Sequence, residues 1–400
     1  MISNTIVLPN GIELKNRIVK AAMSEALADK TNQPNTDHIA LYERWAEGGA
    51  GVLISGNVMI DRSQLGEPGN IVLDNKTDRN ALISWAKAGT YNDTKFLLQI
   101  NHPGKQAPKS MSKKPVAPST IKLSKEFSAL FNEPRELTTD EVRELIEKFV
   151  LAGKIAEETG FSGVEIHAAH GYLINQFLSP ADNKRKDEYG GTLKNRMRFM
   201  VEVFQGIRKI TSPKFIIGLK LNSSDFTEDG FSEKDSLKVI VQMAELGIDF
   251  IEISGGNYEK AKVMDVGQGV FFLDFAKKAQ NSVDIPIMLT GGLTSKQGIE
   301  DVIHKEGISL VGLGRSLIMN PNIPNQLISD AFQSVQLPRL STGIKTLDKK
   351  VGGAIGIAYY EQQIEKLVAG KQAKYTTNAW GPLLHTVFRH GLHSITGKRR

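Results

Sequence analysis

Two histidines and a tyrosine stand close together in the stretch HAAHGY, as His167, His170 and Tyr172. If one turn of helix follows the preceding apolar strand, the spacing of three residues puts both imidazoles on one face. Two imidazoles directed into one space, with a phenol close behind, can donate hydrogen bonds to a carbonyl or phenolate oxygen. The alternative is a pair of surface or core histidines that satisfy backbone groups, because short motifs often match by chance.

A metal site is a weaker interpretation of the same residues. The sequence has no HExxH motif, and no third ligand stands at a typical zinc spacing from the two histidines. The chain also contains no cysteine. This excludes disulfide bonds, thiolate-bound zinc and cysteine-bound iron–sulfur clusters. We therefore predict no metal site.

Apolar, β-branched runs alternate with amphipathic helical patterns along most of the chain. Strands are predicted at 17–21, 51–55, 95–100, 163–166, 215–221, 250–253, 286–289 and 309–312. Helices are predicted at 37–47, 78–88, 139–158, 193–210, 233–246, 271–280, 295–304 and 323–332. Eight strand–helix units over about 320 residues predict an α/β fold with parallel strands closed into a (β/α)8 TIM barrel. An open doubly wound sheet is the alternative, although the only early glycine-rich turn, GGAG, precedes a strand and so is not a dinucleotide fingerprint.

In such a barrel, functional groups gather at the carboxyl ends of the strands. Gly291 and Gly292 follow the seventh strand, and Gly314 and Arg315 follow the eighth. Glycine-rich turns at these two places often bind a phosphate through backbone N–H groups, and an arginine adds a fixed charge. The pattern favours a phosphorylated ligand, with ordinary tight-turn glycines as the alternative.

Two polar side chains interrupt otherwise apolar strands: Lys220 in FIIGLKL and Gln99 in FLLQI. A lysine in a barrel strand is costly unless it faces a polar site or an anion. An amide that both donates and accepts hydrogen bonds suits the edge of a heterocycle. The alternative for each residue is a polar group of the barrel interior that is paired with a neighbour.

Two segments break the alternation of strands and helices. Residues 101–137 form a long connection after the third strand, and such a loop in a compact domain is usually a lid or a binding element. We predict that it lies over the mouth of the barrel. Residues 1–337 are predicted to form the barrel, and 338–400 a C-terminal extension packed on it. The extension contains one predicted helix, 354–368, and we expect it to contribute to contacts in a homo-oligomer.

The formal net charge of +6 suits either attraction of a nucleotide phosphate or a solvated basic surface, and we favour the second. Basic and aromatic residues do not interleave in the way of a nucleic-acid-binding face, so no nucleic-acid partner is predicted. The N-terminus lacks a basic region followed by an apolar run, and no window approaches the ~20 apolar residues that span a bilayer. The sequence predicts a soluble, cytoplasmic protein.

Several stretches are similar to one enzyme family. They are LKNRIVKAAMSEAL (14–27), QINHPGK (99–105), HAAHGYLINQFLSPADNKRKDEYGG with NRMRF after it, GLKLNSSDF (218–226), ISGGNYE (253–259), TGGLT (290–294) and GLGRSLIMNP (312–321). With them the chain resembles the old yellow enzyme family of FMN-dependent oxidoreductases, and more narrowly its bacterial NADH:flavin oxidoreductase and ene-reductase branch. The resemblance implies a single (β/α)8 barrel with non-covalent FMN at its mouth.

The resemblance also implies a role for each matching position. The expected FMN contacts are Ala21, Ala22, Met23, Ser24, Gly56, Gln99, Lys220, Gly291, Gly292, Gly314 and Arg315. Ser24 matches the position that tunes the flavin through its O4 edge. His167 and His170 would hold a substrate carbonyl oxygen, and Tyr172 would donate a proton. NADH or NADPH would give a hydride to the flavin, and an α,β-unsaturated carbonyl substrate would then take it up in the same pocket.

Two departures from better-known relatives bear on this expectation. Lys220 stands where they place arginine, so the redox poise of the flavin is expected to differ. Relatives that carry an iron–sulfur cluster are excluded by the lack of cysteine. Two other functions stay open: a non-redox phosphate-binding barrel such as an aldolase or isomerase, and a flavin-binding protein without turnover.

Overall fold

The computed structural model describes residues 1–259 and 270–390, and for 349–354 and 386–390 it describes the backbone alone. Eight parallel strands each pair with the preceding and the following one, and pairing of the first with the eighth closes the sheet. They are β1 (Ile18–Lys20), β2 (Val52–Met59), β3 (Lys95–Asn101), β4 (Gly163–Ala168), β5 (Ile216–Asn222), β6 (Phe250–Ser254), β7 (Ile287–Thr290) and β8 (Leu310–Leu313). The predicted (β/α)8 barrel is confirmed.

Helices alternate with these strands. They are α1 (Thr36–Glu47), α2 (Arg79–Gly89), α3 (Thr139–Glu158), α4 (Leu173–Leu178), α5 (Leu193–Arg196), α6 (Arg198–Ile210), α7 (Glu233–Glu245), α8 (Leu273–Gln280), α9 (Lys296–His304), α10 (Arg315–Met319), α11 (Ile323–Ile328), α12 (Lys345–Val368) and α13 (Trp380–His390). The helix predicted over 193–210 is interrupted at Met197. The helix predicted over 354–368 begins nine residues earlier, because the run VGGAIG weakens its helical pattern without ending the helix.

Helix α3 begins with a capping box. The Thr138 hydroxyl accepts a hydrogen bond from the Glu141 backbone N–H at 3.2 Å, and the Glu141 carboxylate accepts one from the Thr138 N–H at 2.9 Å. Arg135 donates two further hydrogen bonds to the same carboxylate, at 2.8 and 2.6 Å. These bonds, Arg135 first, lower the pKa of Glu141 to about 2. The start of α3 is therefore tied to the end of the long segment that precedes it.

The barrel interior is apolar at the amino ends of the strands and polar at their carboxyl ends. The apolar layer consists of Val19, Val52, Leu97, Ile216, Phe250, Met288 and Leu310. A hairpin of Ile6–Val7 with Glu13–Leu14 packs on it through Leu8 and Leu14. Side chains two residues further along a strand point the same way. The next interior positions after Leu97 and Phe250 are accordingly taken by Gln99 and Glu252, and Glu165 on β4 is the register partner of Gln99; all three are buried polar residues.

Four aromatic residues lie between β3 and its neighbouring helices. The rings of Tyr42 and Phe96 stack with centroids 4.5 Å apart. Trp85 meets Phe96 and Phe161 edge to face at 5.3 and 5.4 Å. Each such pair adds about 0.5–1.5 kcal/mol beyond its area burial. This packing holds β3, and with it Gln99, firmly against α1 and α2.

The predicted lid, residues 101–137, contacts the loops at the carboxyl ends of the strands. Its short strand Val116–Ala117 pairs with Arg135–Glu136 at its end. The Gln106 amide donates to the His170 carbonyl oxygen at 2.9 Å, and the Ser124 N–H donates to the Glu259 carboxylate at 2.8 Å. The segment therefore lies at the mouth of the barrel.

Helix α12, in the C-terminal part of the chain, packs against α1 and α10. Arg44 of α1 donates to the carbonyl oxygens of Leu367 and Lys371 at 3.0 and 2.9 Å. Tyr359 donates to the Lys374 carbonyl oxygen at 2.8 Å. The division of the chain at residue 337 stays a prediction. Among the described residues, none of the helices combines the length and the apolar character needed to cross a bilayer.

Candidate active site

The residues singled out from the sequence occupy one end of the barrel. Because all eight strands are parallel, their carboxyl ends share that end. His167 is the second-to-last residue of β4, Gly291 and Gly292 follow β7, and Arg315 follows β8. The imidazole pair and the glycine–arginine turns therefore face the same mouth.

The structural basis predicted for the histidine pair is wrong. Strand β4 runs through Ala168, so His167 is a strand residue, and helix α4 begins only at Leu173. His170 lies in a tight turn with φ of 60°, and its backbone N–H donates to the Asn222 side chain at 3.1 Å. This turn brings the rings of His167 and His170 to a centroid distance of 5.0 Å, nearly perpendicular to each other.

Both imidazoles are held in the neutral form. Burial, then the charges of His170 and Lys220, lowers the pKa of His167 well below its usual value. Burial and the charge of Lys220 lower the pKa of His170 to about 3. Nδ1 of His167 accepts a hydrogen bond from the Ala169 N–H at 3.2 Å, so its proton is on Nε2. Nε2 of His170 lies 2.6 Å from the Ser254 hydroxyl. His167 thus has its N–H donor on Nε2, the ring nitrogen that the Ala169 N–H leaves available.

Tyr172 stands at the N-cap position of α4, beside the imidazole pair. Its ring centroid is 4.9 Å from that of His167. Its hydroxyl oxygen is 3.0 Å from that of Tyr258, on the loop after β6. Burial, followed by the charges of Tyr258 and Glu67, raises the pKa of the Tyr172 phenol well above its usual value. The phenol therefore keeps its proton at neutral pH.

Lys220 and Gln99 are both paired with buried carboxyl groups. The Lys220 ammonium lies 2.8 Å from the Glu252 carboxylate, and the Gln99 amide donates to Glu165 at 2.6 Å. Both pairs lie directly beneath the mouth, since His167 and Lys220 are register partners on β4 and β5. Lys220 and Gln99 are therefore interior polar groups with a paired neighbour, which was the alternative interpretation of both. Each still lies beside the space at the mouth.

The turns after β7 and β8 have the donor set of a phosphate site. Gly291 and Gly292 have φ of 116° and 75°, a backbone that other residues rarely adopt. Within residues 1–259 and 270–390, the guanidinium of Arg315 makes no hydrogen bond and no ion pair. The Thr290 hydroxyl is buried without a partner in the same part of the chain. Among the described residues, a guanidinium that makes no hydrogen bond and no ion pair, on the turn next to two such glycines, fits a bound phosphate.

The predicted flavin contacts of the first strand form a loop directly after β1. They are Ala21, which is buried, and Ala22, Met23 and Ser24, which are partly exposed. Gly56 lies within β2 and does not end that strand. It contacts this loop at a register shift between Ile54 and Asn57. A Cβ on Gly56 would stand 2.5 Å from the Met23 carbonyl oxygen, so only glycine fits.

A buried network anchors that loop. Oε1 of Glu25 accepts hydrogen bonds from the Lys20 ammonium and the Gly56 N–H, both at 3.1 Å, and from the Tyr42 hydroxyl. Lys20 also donates to the Ile54 carbonyl oxygen at 2.7 Å. The network ties the loop after β1 to β2 and α1 and so fixes the floor of the mouth.

Several residues of the mouth were given no functional role by sequence reasoning. They are Tyr258, Asn222, Ser254, Glu67 and Glu361. Asn222 and Ser254 end apolar strands, a signal that was available. Glu67 and Glu361 lie in segments without a telling pattern. Glu361, on α12, accepts a hydrogen bond from the Ser24 hydroxyl at 3.4 Å, and only the fold brings these two together.

A model of the NADH:flavin oxidoreductase / NADH oxidase family matches residues 6–331, which is nearly the whole barrel. This chain belongs to that family. The oxidoreductase prediction, with a flavin and a nicotinamide as cofactors, is thereby confirmed at the level of the family.

Relatives in the family come from fungi and bacteria. A protein of Hypocrea jecorina named as an NADH-dependent flavin oxidoreductase is 34% identical, with 84% of this chain and 92% of the relative covered. An NADPH dehydrogenase of Clostridium acetobutylicum is 32% identical, with 77% and 89% covered. A Neonectria relative is 35% identical, and the chain spans about half of its length, 52%. These matches do not separate a bacterial branch from the rest.

Solved structures share the barrel. An old yellow enzyme homologue of Zymomonas mobilis superposes with a TM-score of 0.71 at 22% identity, over 84% of this chain and 94% of its own. Morphinone reductase superposes with a TM-score of 0.72 at 21% identity, over 84% and 91%. At this identity the likeness establishes the fold.

Proposed function

We propose that this chain is an FMN-dependent ene-reductase. It takes a hydride from NADH or NADPH and reduces the C=C bond of α,β-unsaturated carbonyl compounds, with both half-reactions in one pocket. The proposal rests on one observation: His167, His170 and Tyr172 share the barrel mouth with the donor set around Arg315. The placement in the bacterial ene-reductase branch belongs to the same proposal.

FMN would be held at the mouth of the barrel. Gly291, Gly292, Gly314 and Arg315 would hold its phosphate. The remaining contacts of the cofactor would come from Ala21, Ala22, Met23, Ser24, Gly56, Gln99 and Lys220. FMN, when bound, supplies the hydride-transfer chemistry. The amide of Gln99 and the ammonium of Lys220, each beside the space at the mouth, suit the polar edge of its ring system.

The histidine pair binds the substrate carbonyl oxygen. A neutral imidazole still donates through one N–H, and in His167 that N–H is on Nε2. Donors placed in advance stabilise the negative charge that develops on that oxygen when the β-carbon accepts a hydride. Because both pKa values are depressed, these donors are not replaced by charged imidazolium groups at neutral pH.

Tyr172 donates the proton that the α-carbon requires. A phenol with a raised pKa stays protonated until a strongly basic carbanion-like centre forms beside it. Its contact with the His167 ring, at 4.9 Å between centroids, places the hydroxyl near the bound carbonyl. The hydrogen bond to Tyr258 gives the resulting phenolate a partner.

One experiment tests the proposal. Purified protein, reconstituted with FMN if necessary, is reduced anaerobically with NADH and, separately, NADPH, and then mixed with a panel of enones. The expected result is loss of the oxidised flavin absorbance followed by its return with the enone. A protein that FMN does not reconstitute, or one that no enone reoxidises, contradicts the proposal.

A non-redox aldolase or isomerase is the second candidate. It would use Lys220 as a free amine that forms a Schiff base. The ion pair of Lys220 with Glu252, at 2.8 Å, disfavours this role because the amine is engaged as a cation. Borohydride treatment with a carbonyl substrate tests it: covalent trapping at Lys220 would favour the aldolase over the reductase.

A further inference from the structure

Two glutamates meet in the barrel interior beneath the proposed flavin site. Glu165 and Glu252 are both fully buried, at 0% exposure. One oxygen of each is satisfied: Oε2 of Glu165 accepts from Gln99, and Oε1 of Glu252 accepts from Lys220. The other oxygen of each, Oε1 of Glu165 and Oε2 of Glu252, has no partner among the described residues. A buried acceptor left in this state is costly.

Glu165 lies on β4 and Glu252 on β6, the two strands that pair with β5 from either side, and their side chains interact directly in the barrel interior. Two ionised carboxylates in such contact repel, and neither could donate to the other. One proton placed between them would give both unpartnered oxygens a hydrogen bond. In agreement, burial and then the charge of Glu252 raise the pKa of Glu165 well above its usual range.

We propose that Glu165 carries a proton on Oε1 and donates it to Oε2 of Glu252, so that the two glutamates present a single negative charge to Lys220. This inference deepens the proposed function and, in its effect on the flavin, rests on it. Glu165 and Glu252 act through Lys220 and are therefore positioning residues, not catalytic ones.

The surrounding charges agree with one negative charge at this place. The only cation that contacts the pair within the described residues is Lys220. His167 and His170 face the same space and are neutral. Gln99 is uncharged. Lys20, whose charge also reaches Glu165, has its own carboxylate partner in Glu25 at 3.1 Å. One carboxylate charge therefore balances one ammonium.

This balance sets how strongly Lys220 favours negative charge at the flavin edge. A hydride taken from the nicotinamide brings two electrons and one proton, and leaves the flavin with one additional negative charge. Lys220 stabilises that charge, and the carboxylate charge of Glu252 beside it offsets part of the effect. With the shared proton, the two glutamates place one negative charge beside Lys220 instead of two.

Glutamine variants test the number of charges, because glutamine has the shape of a protonated glutamate. In Glu165→Gln the amide donates to Glu252, which keeps the charge. In Glu252→Gln the amide donates to Glu165, which then carries it. Each single variant should leave the affinity ratio for reduced over oxidised FMN within about threefold of wild type. The double variant should raise that ratio about tenfold or more, which is about 30 mV in the two-electron midpoint potential.

Infrared spectroscopy counts the proton without relying on the flavin. The infrared difference spectrum of wild type minus either single variant should show the carbonyl band of a buried, protonated carboxylic acid. The band should be the same in both difference spectra, because each variant loses it. No band in wild type would mean two carboxylates, and a band kept in each single variant would mean two acids. Either result overturns the proposal, as would equal and additive shifts in potential from the two single variants. If the protein binds no FMN, the proposed function fails while the infrared result still decides the shared proton.

Discussion

The hydroxyl oxygens of Tyr172 and Tyr258 lie 3.0 Å apart, so the two phenols are joined by a hydrogen bond. Tyr258 is also tied to the lid, because its backbone N–H donates to Gln106 at 3.2 Å and its ring lies 5.9 Å from that of Phe131. The position of the proposed proton donor therefore depends on two loops at once. A change in the lid therefore reaches the Tyr172 hydroxyl through Tyr258.

Replacement of Tyr172 by phenylalanine should separate the two half-reactions. Alkene reduction should slow about 10²- to 10⁴-fold, the usual contribution of a positioned acid, while flavin reduction by the nicotinamide keeps its rate. Stopped-flow measurement of each half-reaction checks this. Tyr258→Phe is the matched control, since it removes a hydroxyl but leaves the donor, and it should have a smaller effect. Equal losses in both half-reactions of the Tyr172 variant would exclude it as proton donor.

Binding of neutral carbonyl ligands should not change as pH passes the ordinary histidine range. The folded pKa of His170 is about 3 and that of His167 lies well below its usual value, so neither ring gains a proton as pH falls through the ordinary histidine pKa. The depressed pKa values lower the stability of the protein at acidic pH instead. Below about pH 6.5 these histidines bind protons in the unfolded chain more readily than in the folded protein, so the free energy of unfolding falls as pH falls from there. A ligand titration across this range checks the first point. A clear inflection near pH 6.5, absent from His170→Ala, would contradict neutral imidazoles.

Glu67 should carry a proton in the folded protein at mildly acidic pH. Burial, and then the charge of Glu361, raises its pKa from 4.5 to about 7. Because the folded value lies above the ordinary one, stability from this group is complete below pH 4.5 and is lost as pH rises through 7.

The comparison of wild type with Glu67→Gln isolates this effect. Wild type should lose free energy of unfolding relative to the variant between pH 4.5 and 7. In Glu361→Gln the pH range of this loss should end at a lower pH. The charge that repels the Glu67 carboxylate is then gone, so the pKa of Glu67 is raised less. Urea unfolding at a series of pH values measures both. If the free energy of unfolding of wild type instead rises relative to that of the variant over this range, the pKa of Glu67 is not raised.

Arg315→Met should weaken FMN binding about 10- to 100-fold, since a charge-assisted hydrogen bond is worth about 1.5–3 kcal/mol. Arg315→Lys keeps the charge without the fork and should lose less. Fluorescence titration of the apoprotein with FMN and with riboflavin checks this. The Met variant should lose affinity for FMN and not for riboflavin, and an equal loss for both would place the phosphate elsewhere.

The barrel itself could be predicted because strand and helix patterns alternate along the chain and each is set by nearby residues. The end of the barrel that holds His167 and Arg315 follows from the parallel strands alone. The turn geometry did not follow: His170 has a positive φ, and its N–H donates to Asn222, 52 residues away.

Partners from distant segments were beyond sequence reasoning. Glu252 pairs with Lys220, and Glu361 reaches Ser24 from a helix far along the chain. No local spacing encodes either contact, since both arise from the closure of the barrel and the packing of α12. The expected homo-oligomer and the cytoplasmic location stay predictions.

The central claim is that a flavin, the two imidazoles and the Tyr172 phenol share one mouth. Titration of the FMN-loaded protein with a simple phenol tests it most directly, because a ligand held by His167 and His170 against the flavin must perturb the flavin absorbance. We predict a saturable spectral change in wild type, and its loss in the His167→Ala, His170→Ala double variant with FMN content retained. A spectral change of equal affinity in both proteins, or a wild type that binds FMN and shows none, would contradict the account.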